Sequence, residues 1–287
     1  MYRTITSLLA ALMTAMGIQL PPATWQLQTM MDGRTVLVSF SDHPRSSHSA
    51  TIPIEQLDGL KSLLPSSSPA RFRLRRDAGA FEFDGVLRGG SGGGTMAFVP
   101  SDTFVAELAK RGFGAPTRIE QLKMAWHDAG FALIDELSAD NYQRPTLQQL
   151  VNAGDHGIDR TYVREMARGG YELGTVDALV RQHDHGVDAA YIRDLASFGL
   201  KPLSADELVR ARDHGISPEY VRELGALGYL RLTLGDLVHL RDHGVSPEWL
   251  RVVGSRNTGR LSIEQLVSLR DHGVDTLEEL RRRTHAG

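Results

Sequence analysis

The amino-acid sequence predicts an α+β protein: a small antiparallel β domain followed by an α-solenoid of six 29-residue helix-turn-helix repeats. Three observations predict it. The triplet Asp-His-Gly recurs five times at a constant spacing of 29 residues. Hydroxyl residues suited to start helices recur with the same period. Upstream, over 24–100, short stretches of alternating or continuous apolar character are broken by turn residues, which reads as strands.

Residues 1–23 read as an export signal. Arg3 precedes an uncharged, mostly apolar run over 5–20, followed by Pro21, Pro22 and a more polar sequence. Such a run makes a helix of about 24 Å, short of the ~30 Å hydrocarbon core of a bilayer. Small residues offer cleavage after Gly17 or after Ala23. The competing readings are an uncleaved anchor and a buried N-terminal helix. An exported chain would be periplasmic or secreted, with no membrane span after signal cleavage.

In the β domain, 25–30 and 35–40 flank Asp32-Gly33, a pair that accepts the positive φ angles of a tight hairpin. Phe72-Arg73-Leu74, Phe81-Glu82-Phe83, Val86-Leu87 and Met96-Ala97-Phe98-Val99 complete five or six antiparallel strands, which stop at Pro100. The stretch 42–48, rich in Ser and His, reads as a solvated loop. The glycine-rich 89–94 reads as a flexible hairpin tip. A phosphate-binding loop would need a following helix and a Lys-Ser/Thr pair, and Thr95-Met96-Ala97-Phe98 reads as strand. A linking helix over 103–110, capped by Ser101 or Asp102, occupies 101–116.

The repeats fill 117–287. Thr117, Thr146, Thr175, Ser204, Thr233 and Ser262 open the first helix of each, and Glu120, Gln149, Glu207 and Gln265 complete capping boxes in four. The triplets Asp155-His156-Gly157, Asp184-His185-Gly186, Asp213-His214-Gly215, Asp242-His243-Gly244 and Asp271-His272-Gly273 end that helix, the glycine supplying a left-handed residue. A degenerate first copy keeps only the histidine, in Trp126-His127-Asp128. Asp159, Asp188, Ser217, Ser246 and Asp275 then cap the second helix, which ends at Gly170, Gly199 and Gly228, or at Asn141 and Asn257. Leu150, Leu179, Leu208, Leu237 and Leu266, with Tyr162, Tyr191, Tyr220 and Trp249, form core stripes. The final repeat breaks the stripe at Glu278 and Glu279, as a terminal cap facing water would.

The triplets invite a chemical reading, as metal or acid-base sites, and His183-Asp184-His185 is the densest spot. Neighbouring residues on a helix diverge, however, and equivalent residues in stacked repeats are expected about 10 Å apart. Recurrence in every repeat fits a structural joint: histidine bonding the carbonyls of its own helix end, and Asp155, Asp184, Asp213 and Asp242 pairing with Arg164, Arg193, Arg222 and Arg251. With no cysteine, a disulfide framework, a thiolate zinc site, a thiol nucleophile and a cysteine lipid anchor are all ruled out. A net charge of −3 leaves no overall attraction to nucleic acid, and Ser217, Ser246 or Asp stands where a helix-hairpin-helix motif wants a second glycine.

The repeat written here over 206–224, with Asp213-His214-Gly215 and Pro218-Glu219-Tyr220-Val221-Arg222-Glu223-Leu224, resembles tandem helical repeats of bacterial envelope proteins. It is also similar to extracytoplasmic repeats of regulatory membrane metallopeptidases of the β-lactam-sensor type. Residues 75–85 resemble the β segment that accompanies such repeats. The resemblance implies a sensory or interaction role outside the cytoplasm, with a protein or peptide partner in the cell envelope. It offers no catalytic residues or cofactors to transfer, and no His-Glu-x-x-His is present. The chain therefore reads as a scaffold rather than an enzyme, with a metal-binding protein or metal-dependent enzyme using the Asp-His ladder as the alternative.

Overall fold

A computed structural model describes residues 23–43, 46–64, 68–200, 202–254 and 261–274. The expected export signal up to residue 22, Asn257, Asp275, Glu278 and Glu279 lie outside the described residues. The architecture is α+β, and the chain divides into two compact units, Met1–Phe131 and Ala132–Gly287.

The first unit is built on one antiparallel sheet. Its strands are β1 (Ala23–Thr29), β2 (Thr35–His43), β3 (Ser46–Pro53), β4 (Leu57–Asp58), β5 (Ser68–Arg76), β6 (Gly79–Arg88) and β7 (Ser91–Pro100), in the order β3-β2-β1-β7-β6-β5-β4. One short helix, α1 (Leu60–Leu63), lies between β4 and β5. Alternation decides the core: Trp25, Leu27, Val36, Val38, Phe40, Phe81 and Phe83 are buried while their neighbours along the strands point away. Phe72 and Phe83 stack at 4.6 Å, and Trp25 meets both edge-on.

Three local expectations are corrected. Of the stretch expected as a loop, 42–43 and 46–48 are strand, because β2 runs on to His43 and β3 begins at Ser46, pairing Phe40 with His48 and Val38 with Ala50. An edge strand paired on one side tolerates Ser and His, and the His48 ring stacks on Phe40 at 4.8 Å. The expected β1–β2 hairpin forms, with Thr24 opposite Ser41 and Thr29 opposite Val36, but its connection is longer than a two-residue turn, since Met30 N–H donates to Thr35 O at 3.0 Å across it. Inside it the Asp32 carboxylate accepts from the N–H groups of Arg34 and Thr35 at 2.8 and 2.9 Å, bonds that hold its carboxyl below the usual range.

Third, the glycine run is mostly strand. Only Gly89 and Gly90 turn, at φ +56° and +82°, and Gly92, Gly93 and Gly94 lie in β7 between β1 and β6. A Cβ on Gly94 would sit 2.1 Å from Asp84 O, and one on Gly85 opposite would sit 2.2 Å from Gly93 O and 2.8 Å from the Trp25 ring. The glycines admit close backbone approach beneath the indole, whose N–H donates to Asp84 O at 3.1 Å.

Helix α2 (Asp102–Lys110) starts where Ser101 Oγ accepts from Phe104 N–H. Helix α3 (Arg118–Trp126), the first helix of the degenerate repeat, packs on this sheet. The buried Gln121 amide donates to the carbonyls of Ala78 and Ser101 at 2.9 Å each, and Trp126 lies edge-on to Phe40 and Phe81.

In the second unit the repeats are short helices of eight or nine residues: α4 (Phe131–Ala139), α5 (Leu147–Asp155), α6 (Arg160–Arg168), α7 (Val176–Asp184), α8 (Ala189–Ser197), α9 (Ala205–Asp213), α10 (Pro218–Ala226), α11 (Leu234–Asp242), α12 (Pro247–Gly254) and α13 (Ile263–Asp271). Among the described residues five capping boxes form, the expected four plus Thr233 with Asp236. Asp159, Asp188, Ser217 and Ser246 accept from the N–H of Tyr162, Tyr191, Tyr220 and Trp249. Asn141, Gly170, Gly199 and Gly228 all carry positive φ at the ends of second helices. The leucine stripe from Leu150 to Leu266 is fully enclosed.

Gly94→Ala should lower the stability of the sheet by about 1–3 kcal/mol through overpacking. Gly93→Ala, whose added Cβ meets Trp25 O at 3.1 Å, should cost less. Urea unfolding followed by tryptophan fluorescence measures both, and an unmoved midpoint for Gly94→Ala would refute the close-approach assignment.

Candidate functional site

The triplets form a ladder within the second unit. Each Asp is the last residue of a first helix, each His its C-cap, and each Gly the left-handed residue after it, at φ between +67° and +76°. First helices pack on first helices of the next repeat, α5 on α7, α9 on α11 and α11 on α13, while second helices pack on second helices. Equivalent helix ends are thereby brought together.

That stacking determines the partners. His156 Nδ1 lies 2.8 Å from Asp184 Oδ1, His185 Nδ1 2.5 Å from Asp213, His214 Nδ1 2.7 Å from Asp242 and His243 Nδ1 2.7 Å from Asp271. An ionised carboxylate only accepts, so Nδ1 is the donor and carries the proton. The expected pairing of these aspartates with arginines nine residues on is therefore corrected. Arg164 reaches the preceding second helix instead, donating from Nε to Glu136 at 2.8 Å and from a terminal nitrogen to the same carboxylate, which holds the Glu136 carboxyl below its ordinary range. Arg251 reaches Glu223 in the same way at 3.1 Å, and Arg222 bonds Glu219 on its own helix. The expected bond from histidine to its own helix end occurs at His272, whose Nδ1–H donates to Ser268 O at 2.6 Å.

A second rung runs beside the first. The hydroxyls of Tyr162, Tyr191 and Tyr220 donate to the carbonyls of Val187, Ile216 and Val245 at 2.8–2.9 Å, and Trp249 Nε1–H donates to Val274 O at 2.8 Å. Burial pushes the phenols of Tyr191 and Tyr220 up to about 12, against a smaller downward pull from Arg212 and Arg241, and it raises Tyr162 as well. In the joints that carry an aromatic ring, the residue before the Asp covers it. Arg212 lies 3.6 Å over Tyr191, Arg241 4.8 Å over Tyr220 and Arg270 5.8 Å over Trp249.

His183 occupies this covering position, edge-on to Tyr162 at 5.0 Å. The three candidates His183, Asp184 and His185 thus engage different groups: the Tyr162 ring, His156 in the preceding repeat and Asp213 in the following one. Among the described residues no group of three or more His, Asp or Glu is placed to hold a metal ion together. Sequence reasoning missed the aromatic-to-carbonyl rung and the His–Asp pairing, although constant offsets of 25 and 28 residues carry both. It also missed His239, whose ring lies 4.7 Å from that of His243; the four-residue spacing on one helix was the available signal.

These contacts define a helical-repeat stack in which every Asp-His-Gly triplet is a joint between repeats. Among the described residues no helix is long and apolar enough to cross a membrane. Comparison with protein-family models, with curated proteins and with solved structures finds no match to this chain.

Tyr191→Phe removes a donor and leaves the Ile216 carbonyl unpaired, so it should cost about 1–3 kcal/mol. In the folded state the phenol ionises near 12, above the unfolded value of about 10. Its contribution is therefore complete below about pH 10 and declines as pH rises from there toward the folded value. Urea midpoints of wild type and Tyr191→Phe should converge through that alkaline window; a constant gap would count against the buried donor.

Proposed function

We propose that this chain is an exported interaction or sensory scaffold of the cell envelope, periplasmic or secreted, which binds a protein or peptide along the exposed face of its helical stack. The carrying observation is the contrast between joint and surface. The joints repeat with the same residue types and the same contacts, whereas the exposed position four residues before the joint histidine holds Arg181, Arg210, His239 and Ser268 in successive repeats. A stack with uniform joints and variable exposed positions provides an extended surface that can be tuned residue by residue without disturbing the fold. The net charge of −3 favours a protein partner over nucleic acid.

The export reading gains one detail from the sheet. Ala23 is buried in β1 and pairs with Met96, so cleavage after Gly17 leaves the strand whole while cleavage after Ala23 removes a core residue. We assign Gly17 as the cleavage position on that ground.

The full chain, expressed with its own N-terminus, should be recovered outside the cytoplasm with Ile18 as its first residue by intact-mass measurement. In-cell crosslinking should join one envelope protein to the stack, with crosslinks mapping to exposed helix positions, and Arg181→Glu/Arg210→Glu should deplete it. An unprocessed cytoplasmic chain would overturn the export reading. The same crosslinked set in wild type and in the charge-reversed variant would overturn the scaffold reading.

A further inference from the structure

We propose that His239 and His243 form a chelating site for a divalent late-first-row metal ion, copper(II) in preference, on the last turn of helix α11. The inference stands independently of the partner-binding reading. It rests on a feature that occurs once in the ladder. The residue four positions before the joint histidine is Lys123, Asn152, Arg181, Arg210, His239 or Ser268, so only in this repeat do two histidines stand four residues apart. Residues four apart lie one above the other on the same face. The His243 N–H donates to His239 O at 3.3 Å, and the two ring centroids are 4.7 Å apart with planes inclined at 72°.

The joint prepares His243 as a ligand. Its Nδ1 lies 2.7 Å from Asp271 Oδ1 and must donate, which leaves Nε2 as the nitrogen with a free lone pair. A carboxylate behind a metal-ligating imidazole is the arrangement that fixes tautomer and ring orientation and raises ligand basicity. His239 is exposed and outside the His–Asp pairing, so its ring can turn toward a shared ion without breaking a joint. The end of α11 adds the negative pole of a helix, favourable to a cation. Across the seam, Glu264 interacts electrostatically with both His239 and Asp236, so a positive ion between the rings would also meet carboxylate charge. Two imidazoles suit copper, nickel and zinc, and the ordinary stability order places copper(II) highest. Water would complete the coordination shell.

Full-length protein freed of metal with a chelator is titrated with copper(II) chloride and followed by electron paramagnetic resonance, with zinc chloride calorimetry in parallel. Wild type should take up one equivalent whose spectrum shows nitrogen coupling from two imidazoles, and His239→Gln should abolish that species. His239→Gln leaves the His243–Asp271 joint in place, so its circular dichroism and urea midpoint should match wild type, which distinguishes a lost ligand from a lost fold. Asp271→Asn should weaken binding by about 10–100-fold while both ligands remain. A two-nitrogen copper spectrum that persists in His239→Gln, or copper uptake by wild type no greater than by that variant, would overturn the assignment.

Discussion

A left-handed residue at the end of each first helix is the constraint from which the stack follows. Gly157, Gly186, Gly215, Gly244 and Gly273 take φ near +70°, where a side chain costs about 1–2 kcal/mol. The chain then folds back so that Ile158 N–H donates to Ala153 O, with the same closure at Val187, Ile216, Val245 and Val274. These five aliphatic residues are almost wholly buried. Four of them, Val187 onward, offer their carbonyls to the aromatic donors of the preceding repeat. One residue later comes the N-cap of the second helix. Helix termination, core filling, satisfaction of an orphan carbonyl and the next helix start all depend on that backbone conformation.

The first repeat shows what happens when one side of the joint is absent. In the later joints the Asp serves the histidine of the repeat before it. Helix α3 belongs to the first repeat and packs on the sheet, so an Asp at its end would have no preceding repeat's histidine to bind. Trp126 stands there, buried against Phe40 and Phe81, and Gln121 ties the helix to two sheet carbonyls. Asp128 takes the left-handed turn at φ +55°, one of the few residues besides glycine and asparagine that accept it. The loss of the motif is the adaptation of a repeat to a different neighbour.

Legibility followed the range of the interaction. Caps, capping boxes and left-handed residues act over three or four residues, and almost all were readable as sequence. The joints join residues 25 and 28 apart, and which side chains meet depends on first helices stacking on first helices. The nine-residue offset from Asp to Arg was a true periodicity but not a contact, because the two side chains belong to different rows of the stack. In the sheet, the glycine run was misread because glycine has two physical uses. Gly89 and Gly90 turn the chain, whereas Gly92 and Gly94 leave room for backbone at 2.1–2.4 Å from a would-be Cβ. Composition alone does not separate those uses. The edge strand over 46–53 was hidden for a related reason, since a strand paired on one side carries little apolar signal.

Variation among the repeats assigns His183 a structural role without appeal to any other protein. Where the second helix carries Tyr191, Tyr220 or Trp249, the covering residue is Arg212, Arg241 or Arg270; where it carries Tyr162, the cover is His183; and where Leu133 replaces the aromatic, the equivalent position is Gly154. The cover appears only with a ring to cover, and both histidine and arginine present a flat polar group that can lie against an aromatic face or edge. Had His183 been selected as a ligand, its presence would not track the aromatic 21 residues earlier. The same logic separates structure from function along the whole ladder: a residue that recurs with its contact serves the stack, and a residue such as His239, which occurs once and takes no part in the repeating contacts, is where chemistry particular to this chain is to be sought.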